Sequence, residues 1–161
     1  MTALPQVDHT AIRTNQAVII GLNLLAFILD LPVLVGVTGL VMLLGTLFKR
    51  PGFGFIYQKI LGPAGFLRPN LVEDNPEPHR FAQGFGSVFL LAGALSLTLG
   101  SNLLGWTLVW VVIALAALNL FGGFCVGCAM YYWLNRMNVP GFVKSPLPGT
   151  VPGMRPGREE K

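Results

Sequence analysis

Residues 17–48 read AVIIGLNLLAFILDLPVLVGVTGLVMLLGTLF, and this stretch decides the fold class because Asp30 is its only charged residue. A single α-helix of that length would be about 48 Å long, well beyond a bilayer hydrocarbon core of about 30 Å. Asp30 and Pro32 lie near its middle, where a charge and a helix breaker would both be costly inside a membrane. We therefore predict two spanning helices joined by a tight turn, over residues 12–29 and 32–48. Both are short for a complete crossing, so a shallow re-entrant pair is the alternative.

The composition of the whole chain is that of a membrane protein. Hydrophobic residues make up 53% of its 161 residues and charged residues only 11%, whereas soluble domains carry roughly 25% charged residues. The net charge of +4 does not indicate nucleic-acid binding, because no basic run interleaved with aromatic residues is present. Ordinary hydrolase and nucleotide-binding chemistry is also excluded, since no Ser/His/Asp arrangement, paired carboxylates or phosphate-binding loop appears.

Two further apolar runs complete the predicted bundle. Residues 81–100 form one run, and residues 104–134 form another that is too long for one untilted crossing. The second run contains Gly122 and Gly123, where a tilt, kink or break is expected. The predicted fold class is all-α: residues 1–135 form an integral membrane bundle of four transmembrane helices, arranged as two helical hairpins.

The Lys and Arg residues all fall on one side of this predicted bundle. They lie at the very start of the first span, in the loop 49–80, or after the fourth span: Arg13; Lys49, Arg50, Lys59, Arg68 and Arg80; Arg136, Lys144, Arg155, Arg158 and Lys161. Because basic segments stay in the cytoplasm, both termini are predicted to be cytoplasmic. Residues 2–16 do not resemble a signal peptide, since they hold one basic residue, include Asp8 and lead to no small-residue cleavage site. The Pro/Gly-rich tail 136–161 is predicted to be disordered or extended.

The loop 49–80 contains an apolar segment, residues 52–67, in which Lys59 is the only charge. Such a segment would not lie free in water. We predict a short interfacial helix on the cytoplasmic surface of the bilayer, with Phe53, Phe55 and Tyr57 at headgroup depth. Lys59 and Arg68 would face anionic lipid. A docking surface for a partner is the alternative.

A polar run, EDNPEPHRFAQ at residues 73–83, leads into the third predicted span. One interpretation is a solvated charge run whose acidic residues favour the N-terminus of the following helix. The other is a polar cluster of His79, Arg80 and Gln83 at the cytoplasmic end of the bundle. In that cluster His79 would carry protons, because its charge changes near neutral pH.

Cys125 and Cys128 are the only cysteines of the chain, within the segment NLFGGFCVGC at residues 119–128. Side chains three residues apart share one helix face, so the pair could form a reversible disulfide, bind a soft metal or only pack. A break at Gly122 and Gly123 would place a helix N-terminus just before Cys125 and lower the pKa of a thiol there. An unbroken helix in lipid would leave both thiols inert.

A metal site would need a third ligand, and Met130 and His79 are the only residues we would name. The sequence therefore predicts no metal site, and it shows no evident cofactor, although it leaves a soft metal or a quinone open. On the cytoplasmic side the pair would face a reducing compartment, which favours a dithiol that cycles over a static disulfide.

Three segments together resemble a known family: residues 8–15, residues 78–83, and GFCVGC at residues 123–128 with Tyr131 after it. They resemble small bacterial integral membrane proteins known only as a domain of unknown function. The similarity covers residues 8–134 and is most specific at the cysteine segment. The resemblance implies a four-span protein of the bacterial inner membrane, and it implies no activity.

Three functions follow from these features. In the first, Cys125 and Cys128 exchange electrons or a sulfane sulfur with a soluble thioredoxin-like or sulfurtransferase partner, or with a quinone. This loosely resembles four-helix membrane oxidoreductases that carry a C-x-x-C on a span, but those usually use further cysteines, which this chain lacks. The second function is a non-catalytic membrane anchor or scaffold, and the third is transport of a small solute. Whether the chain is an enzyme is left open.

Overall fold

The computed structural model describes residues 6–61, 69–147 and 149–155. Most of these residues are helical, and two short strands are the other regular elements among them. In chain order the elements are β1 (Gln6–Asp8), α1 (His9–Ile28), α2 (Pro32–Leu47), α3 (Gly54–Ile56) continuing as a π-helical turn (Tyr57–Leu61), β2 (Leu71–Glu73), α4 (Pro76–Thr98), α5 (Asn102–Gly122) and α6 (Val126–Arg136).

The first two long helices meet at the turn that the sequence predicts. Asp30 adopts a left-handed φ of 49° just beyond α1, and the backbone N–H of Leu31 donates to the carbonyl of Ala26. Pro32 then begins α2, at a first-turn position where its missing N–H costs little. The chain therefore leaves one helix and enters the next within three residues.

The run predicted as one fourth span, residues 104–134, is two helices and not one. α5 ends at Gly122, and the next residue, Gly123, caps it with a left-handed φ of 67°. Cys125 is extended, with φ −96° and ψ 100°, and α6 starts after it. The glycine pair therefore breaks the helix. α4 also differs from the predicted third span, because it begins at Pro76 rather than near residue 81.

The loop between α2 and α4 contains structure that the all-α prediction did not include. β1 pairs antiparallel with β2, with Val7 opposite Val72. The side chains of Phe53 and Tyr57 are buried against the protein while Phe55 is exposed. Only Phe55 of the three is therefore free to contact lipid, and the depth of this segment in the bilayer stays a prediction. Of the predicted interfacial segment, residues 62–67 lie outside the described residues, as does Arg68.

α4 is the central helix of the bundle. It packs against α2, α5 and α6, while α1 packs against α5 and α2. Leu90, Val35 and Val109 are fully buried between these helices. Gly127 allows α6 to approach α4 closely, since a Cβ there would lie 2.5 Å from the Cβ of Ala82. This close approach holds the start of α6 beside the first turns of α4.

Within the described residues, α1, α4 and α5 are long and apolar enough to cross a membrane, and α2 is apolar but shorter at 16 residues. Large apolar side chains face outward on all four helices, including Ile28, Val33, Leu95 and Leu103. Such a surface suits lipid and not water. The chain is therefore a membrane protein with at least three helices suited to spanning.

Candidate functional site

The two cysteines lie at the break between α5 and α6. Cys125 is the N-cap residue of α6, and its Sγ accepts a hydrogen bond from the backbone N–H of Cys128 at 3.1 Å. The two sulfurs form a disulfide, with the Cα atoms 5.2 Å apart. Cys125 therefore lies at the positive end of a helix, the environment that stabilises a thiolate when the pair is reduced.

His79, the residue proposed from the sequence as a proton carrier, lies beside this pair. Its Nδ1 is 3.6 Å from the Sγ of Cys128, and its Nε2 is 2.9 Å from Oδ2 of Asp74. A neutral His79 that donates its Nε2–H to this carboxylate leaves Nδ1 as an acceptor facing the sulfur. The geometry therefore permits proton transfer between His79 and a thiol at Cys128.

A second histidine shares the same carboxylate oxygen. Nε2 of His9 lies 3.1 Å from Oδ2 of Asp74, and both residues are buried. Burial by itself would raise the pKa of the Asp74 carboxyl. The hydrogen bonds from His79 and His9, the charge of His79 and the backbone N–H of Asn75 outweigh burial and hold that pKa well below its usual range. Asp74 therefore stays ionised and orients both imidazoles.

The other members of the predicted polar cluster have different roles. Gln83 donates to the carbonyl of Met42 at 2.9 Å and accepts from the backbone N–H of Gly52, so it ties α4 to the end of α2. Arg80 is half-buried and lines a cavity described below. His79 is thus the member of the cluster that reaches the cysteines, and Asp74 and His9 complete a network that the sequence analysis did not assign.

The described part of the tail folds back over the cysteine pair. The backbone N–H of Cys125 donates to the carbonyl of Gly153 at 2.7 Å, and that of Arg155 donates to the carbonyl of Gly123 at 2.9 Å. Nη2 of Arg155 also reaches the carbonyl of Asn119 at 3.1 Å, near the end of α5. We call residues 151–155 the strap. The predicted tail therefore includes an ordered segment that covers one side of the site.

Besides a small recess of about 20 Å³ that both cysteines line together with His79 and Asp74, two larger cavities are lined by Cys125. The first, the polar cavity, has a volume of about 280 Å³ and also contacts His79 and Gln16. The second has a volume of about 100 Å³, lies among apolar side chains such as Phe85 and Val112, and contacts Gln16 as well. Cys125 contributes to the walls of both, whereas Cys128 does not. Cys125 is therefore the cysteine that a small molecule occupying either of the two larger cavities would contact.

The donor atoms of His79, Cys125 and Cys128 lie within 4.8 Å of one another, and so do those of His9, Asp74 and His79. After reduction the first set would offer two thiolates and an imidazole, which suit thiophilic metals. Met130, the other ligand considered from the sequence, is more than a third exposed.

Comparison with known proteins gives one match. No curated protein and no solved structure matches the chain. The sequence pattern of one protein family, described as Domain of unknown function (DUF4395), matches residues 7–136. This range holds the six described helices and both cysteines with His79 and Asp74. The chain therefore belongs to the DUF4395 family, in agreement with the resemblance to an uncharacterised membrane family.

Proposed function

We propose that this protein is a thiol–disulfide exchange component of a membrane, in which Cys125 and Cys128 alternate between a disulfide and a dithiol. The observation that carries this proposal is the chain of contacts from Cys128 through His79 to the buried Asp74. A pair that only packs needs no imidazole beside one sulfur and no carboxylate behind that imidazole. A histidine that a buried carboxylate orients beside a cysteine is typical of nucleophilic thiol chemistry.

The two sulfurs have different roles in this mechanism. An incoming thiolate attacks Cys125, which the polar cavity reaches, and the bond between the two sulfurs breaks. Cys128 leaves as a thiolate and takes a proton from His79, when that imidazole carries one. In the reverse direction the helix N-terminus favours the thiolate of Cys125, and His79 accepts the proton of Cys128 so that it can resolve a mixed disulfide.

We further propose that α2 is a fourth span and that both termini lie in the cytoplasm of a bacterial cell, with the protein in the inner membrane. The asymmetry of Lys and Arg supports this orientation, and the apolar, outward-facing side chains of α2 support a membrane environment for that helix. The cysteine break would then lie near the cytoplasmic side, where a reducing environment favours cycling.

The test is thiol trapping on the full chain in lipid nanodiscs. The protein is reduced, treated with a mild oxidant, and alkylated so that free thiols gain mass. We expect the intramolecular disulfide to form near neutral pH, Cys125→Ser and Cys128→Ser each to abolish it, and His79→Gln to slow it about 100-fold. Met130→Leu, at an exposed sulfur-containing residue of the same helix, is the matched control.

Slow alkylation of both thiols, with no oxidation and no effect of His79→Gln, would contradict thiol exchange. The anchor or scaffold function would then be the better explanation of the bundle.

A further inference from the structure

We infer that the polar cavity beside Cys125 binds a low-molecular-weight thiol that carries carboxylate groups, as the free thiol or as its disulfide. This inference rests on the proposed exchange function and names its substrate class. It replaces a protein partner, such as a thioredoxin-like or sulfurtransferase protein, with a small acidic molecule as the direct reactant at the sulfur.

Access to the cysteines favours a small molecule. Cys125 is 5% exposed and Cys128 is 3% exposed, and the strap bonds to the backbone on one side of the pair. A protein partner would have to bring its own cysteine to the bottom of this recess. The polar cavity holds about 280 Å³, the space of about nine water molecules at about 30 Å³ each. That volume suits a molecule of about tripeptide size.

The charge of the cavity favours an anion. Lys49, Arg50 and Arg80 contribute to its walls, and none of them forms an ion pair with another described residue. The backbone carbonyl of Arg50 accepts a hydrogen bond from Gln83, which fixes where this basic edge lies. The carboxylate of Asp8 also lines the cavity, but it is engaged in capping α1. Three unpaired basic side chains around one recess raise the local concentration of an anionic ligand.

A buried acceptor in the same cavity has no partner. Gln16 is 8% exposed, and its Oε1 has no hydrogen-bond donor among the described residues. A buried polar atom without a partner is rare and costly, and a bound ligand is one way to satisfy it. The amide N–H of a peptide-like thiol would supply the missing donor. A small inorganic anion of sulfur would supply charge but no such N–H.

The exchange reaction balances in atoms and electrons with the carboxylate-bearing thiol as the only other reactant. One thiolate attacks Sγ of Cys125, forms a mixed disulfide and displaces Cys128 as a thiolate, which is then protonated. A second molecule attacks the mixed disulfide, releases Cys125 as a thiolate that is then protonated, and leaves as part of the small-molecule disulfide. The protein disulfide plus two thiols thus gives the protein dithiol plus one small disulfide, and the reverse reaction oxidises the protein.

The experiment compares three small disulfides on the reduced full-length protein in nanodiscs. The probes are glutathione disulfide, which is anionic, bis(2-hydroxyethyl) disulfide, which is neutral, and cystamine, which is cationic. In the Cys128→Ser protein the mixed disulfide at Cys125 cannot resolve, so its rate of formation is read by mass spectrometry. At low salt we expect the anionic probe to react on the order of tenfold faster than the cationic one. This preference should fall as the salt concentration rises.

Substitutions test which residues cause the preference for the anionic probe. Lys49→Gln with Arg50→Gln, and Arg80→Gln, should each reduce the ratio of the anionic to the cationic rate, whereas Lys59→Gln, at an exposed basic residue that does not line the cavity, should keep it. Gln16→Leu should slow the anionic peptide probe more than the neutral probe. Two results would overturn the inference while leaving thiol exchange intact. One is an equal rate for the three probes. The other is fast exchange with a thioredoxin at a rate that the basic substitutions do not change. Failure of exchange with every probe and with dithiothreitol would instead contradict the proposed function.

Discussion

Gly153→Ala should release the strap and expose the cysteine pair. Gly153 has a φ of +86°, and a Cβ there would lie 2.8 Å from both the Cβ of Ala129 and the carbonyl oxygen of Cys125. The left-handed backbone costs a non-glycine residue about 1–2 kcal/mol, and the overpacking adds about 1–3 kcal/mol. The strap is held by three hydrogen bonds, worth about 1 kcal/mol each. The penalty, about 2–5 kcal/mol in total, is therefore comparable to the contribution of about 3 kcal/mol from these hydrogen bonds.

The assay is the alkylation rate of the two thiols in the reduced protein, with the peptides identified by mass spectrometry. A shift of about 2 kcal/mol in the equilibrium of the strap would raise its released population up to about 30-fold, and the alkylation rate should rise with it. Gly149→Ala is the matched control, because Gly149 has a φ of +80° but nothing within 4 Å of its added Cβ. If the two variants are alkylated at the same rate, the strap does not guard the pair and the reasoning fails.

Three further predictions test the rest of the structure. Asp74→Asn should slow thiol exchange about 10- to 100-fold, as loss of an orienting partner does at other sites. Because the folded-state pKa of Asp74 is depressed, its stabilisation is present above the ordinary carboxyl pKa of about 3.9 and is lost as pH falls toward the lower folded value. Thermal unfolding from pH 7 to pH 3 should therefore show a steeper loss of stability in the wild type than in the Asn variant. Gly127→Ala should push α6 away from Ala82 and lower stability by about 1–3 kcal/mol; Gly21→Ala, with nothing within 4 Å, should not lower it in the same denaturant titrations. Reporter fusions after α2 and at the C-terminus should both signal from the cytoplasm, and a periplasmic signal from either would refute the orientation.

Local chemistry made several parts of this fold predictable. Asp30 followed by Pro32 marks the end of one apolar helix and the start of the next. The charge of Asp30 and the missing N–H of Pro32 affect only the backbone within a few residues, so the sequence alone locates the turn. Gly122 and Gly123 marked the break before Cys125 for the same reason, although the sequence could not say whether the apolar run would tilt, kink or end there. His79 was singled out because its titration range suits proton transfer, and the structure places it beside Cys128.

The remainder depends on contacts between distant residues. Asp74 looked like an acid preceding a helix, but its partners are His9, 65 residues away, and His79. Phe53 looked like a lipid-facing aromatic, yet its backbone N–H donates to Asn15 of α1 and its ring is buried. The Pro/Gly composition of the tail carried no signal for the strap, because its hydrogen bonds are to the backbone of a segment some 30 residues earlier. Composition and periodicity contain no information on such pairings.

The single carboxylate oxygen that His9 and His79 share sets the charge of the whole network. Low-dielectric surroundings favour zero net charge for a buried group of ionisable residues, and one ionised Asp74 is neutralised by one imidazolium, not two. One extra proton on the two rings together would balance that carboxylate, since both rings contact the same Oδ2. Opening the disulfide by one thiolate generates one new thiolate at Cys128. One exchange step needs one proton for the Cys128 thiolate, and the network holds one. The site can therefore complete that step without taking a proton from the surrounding water.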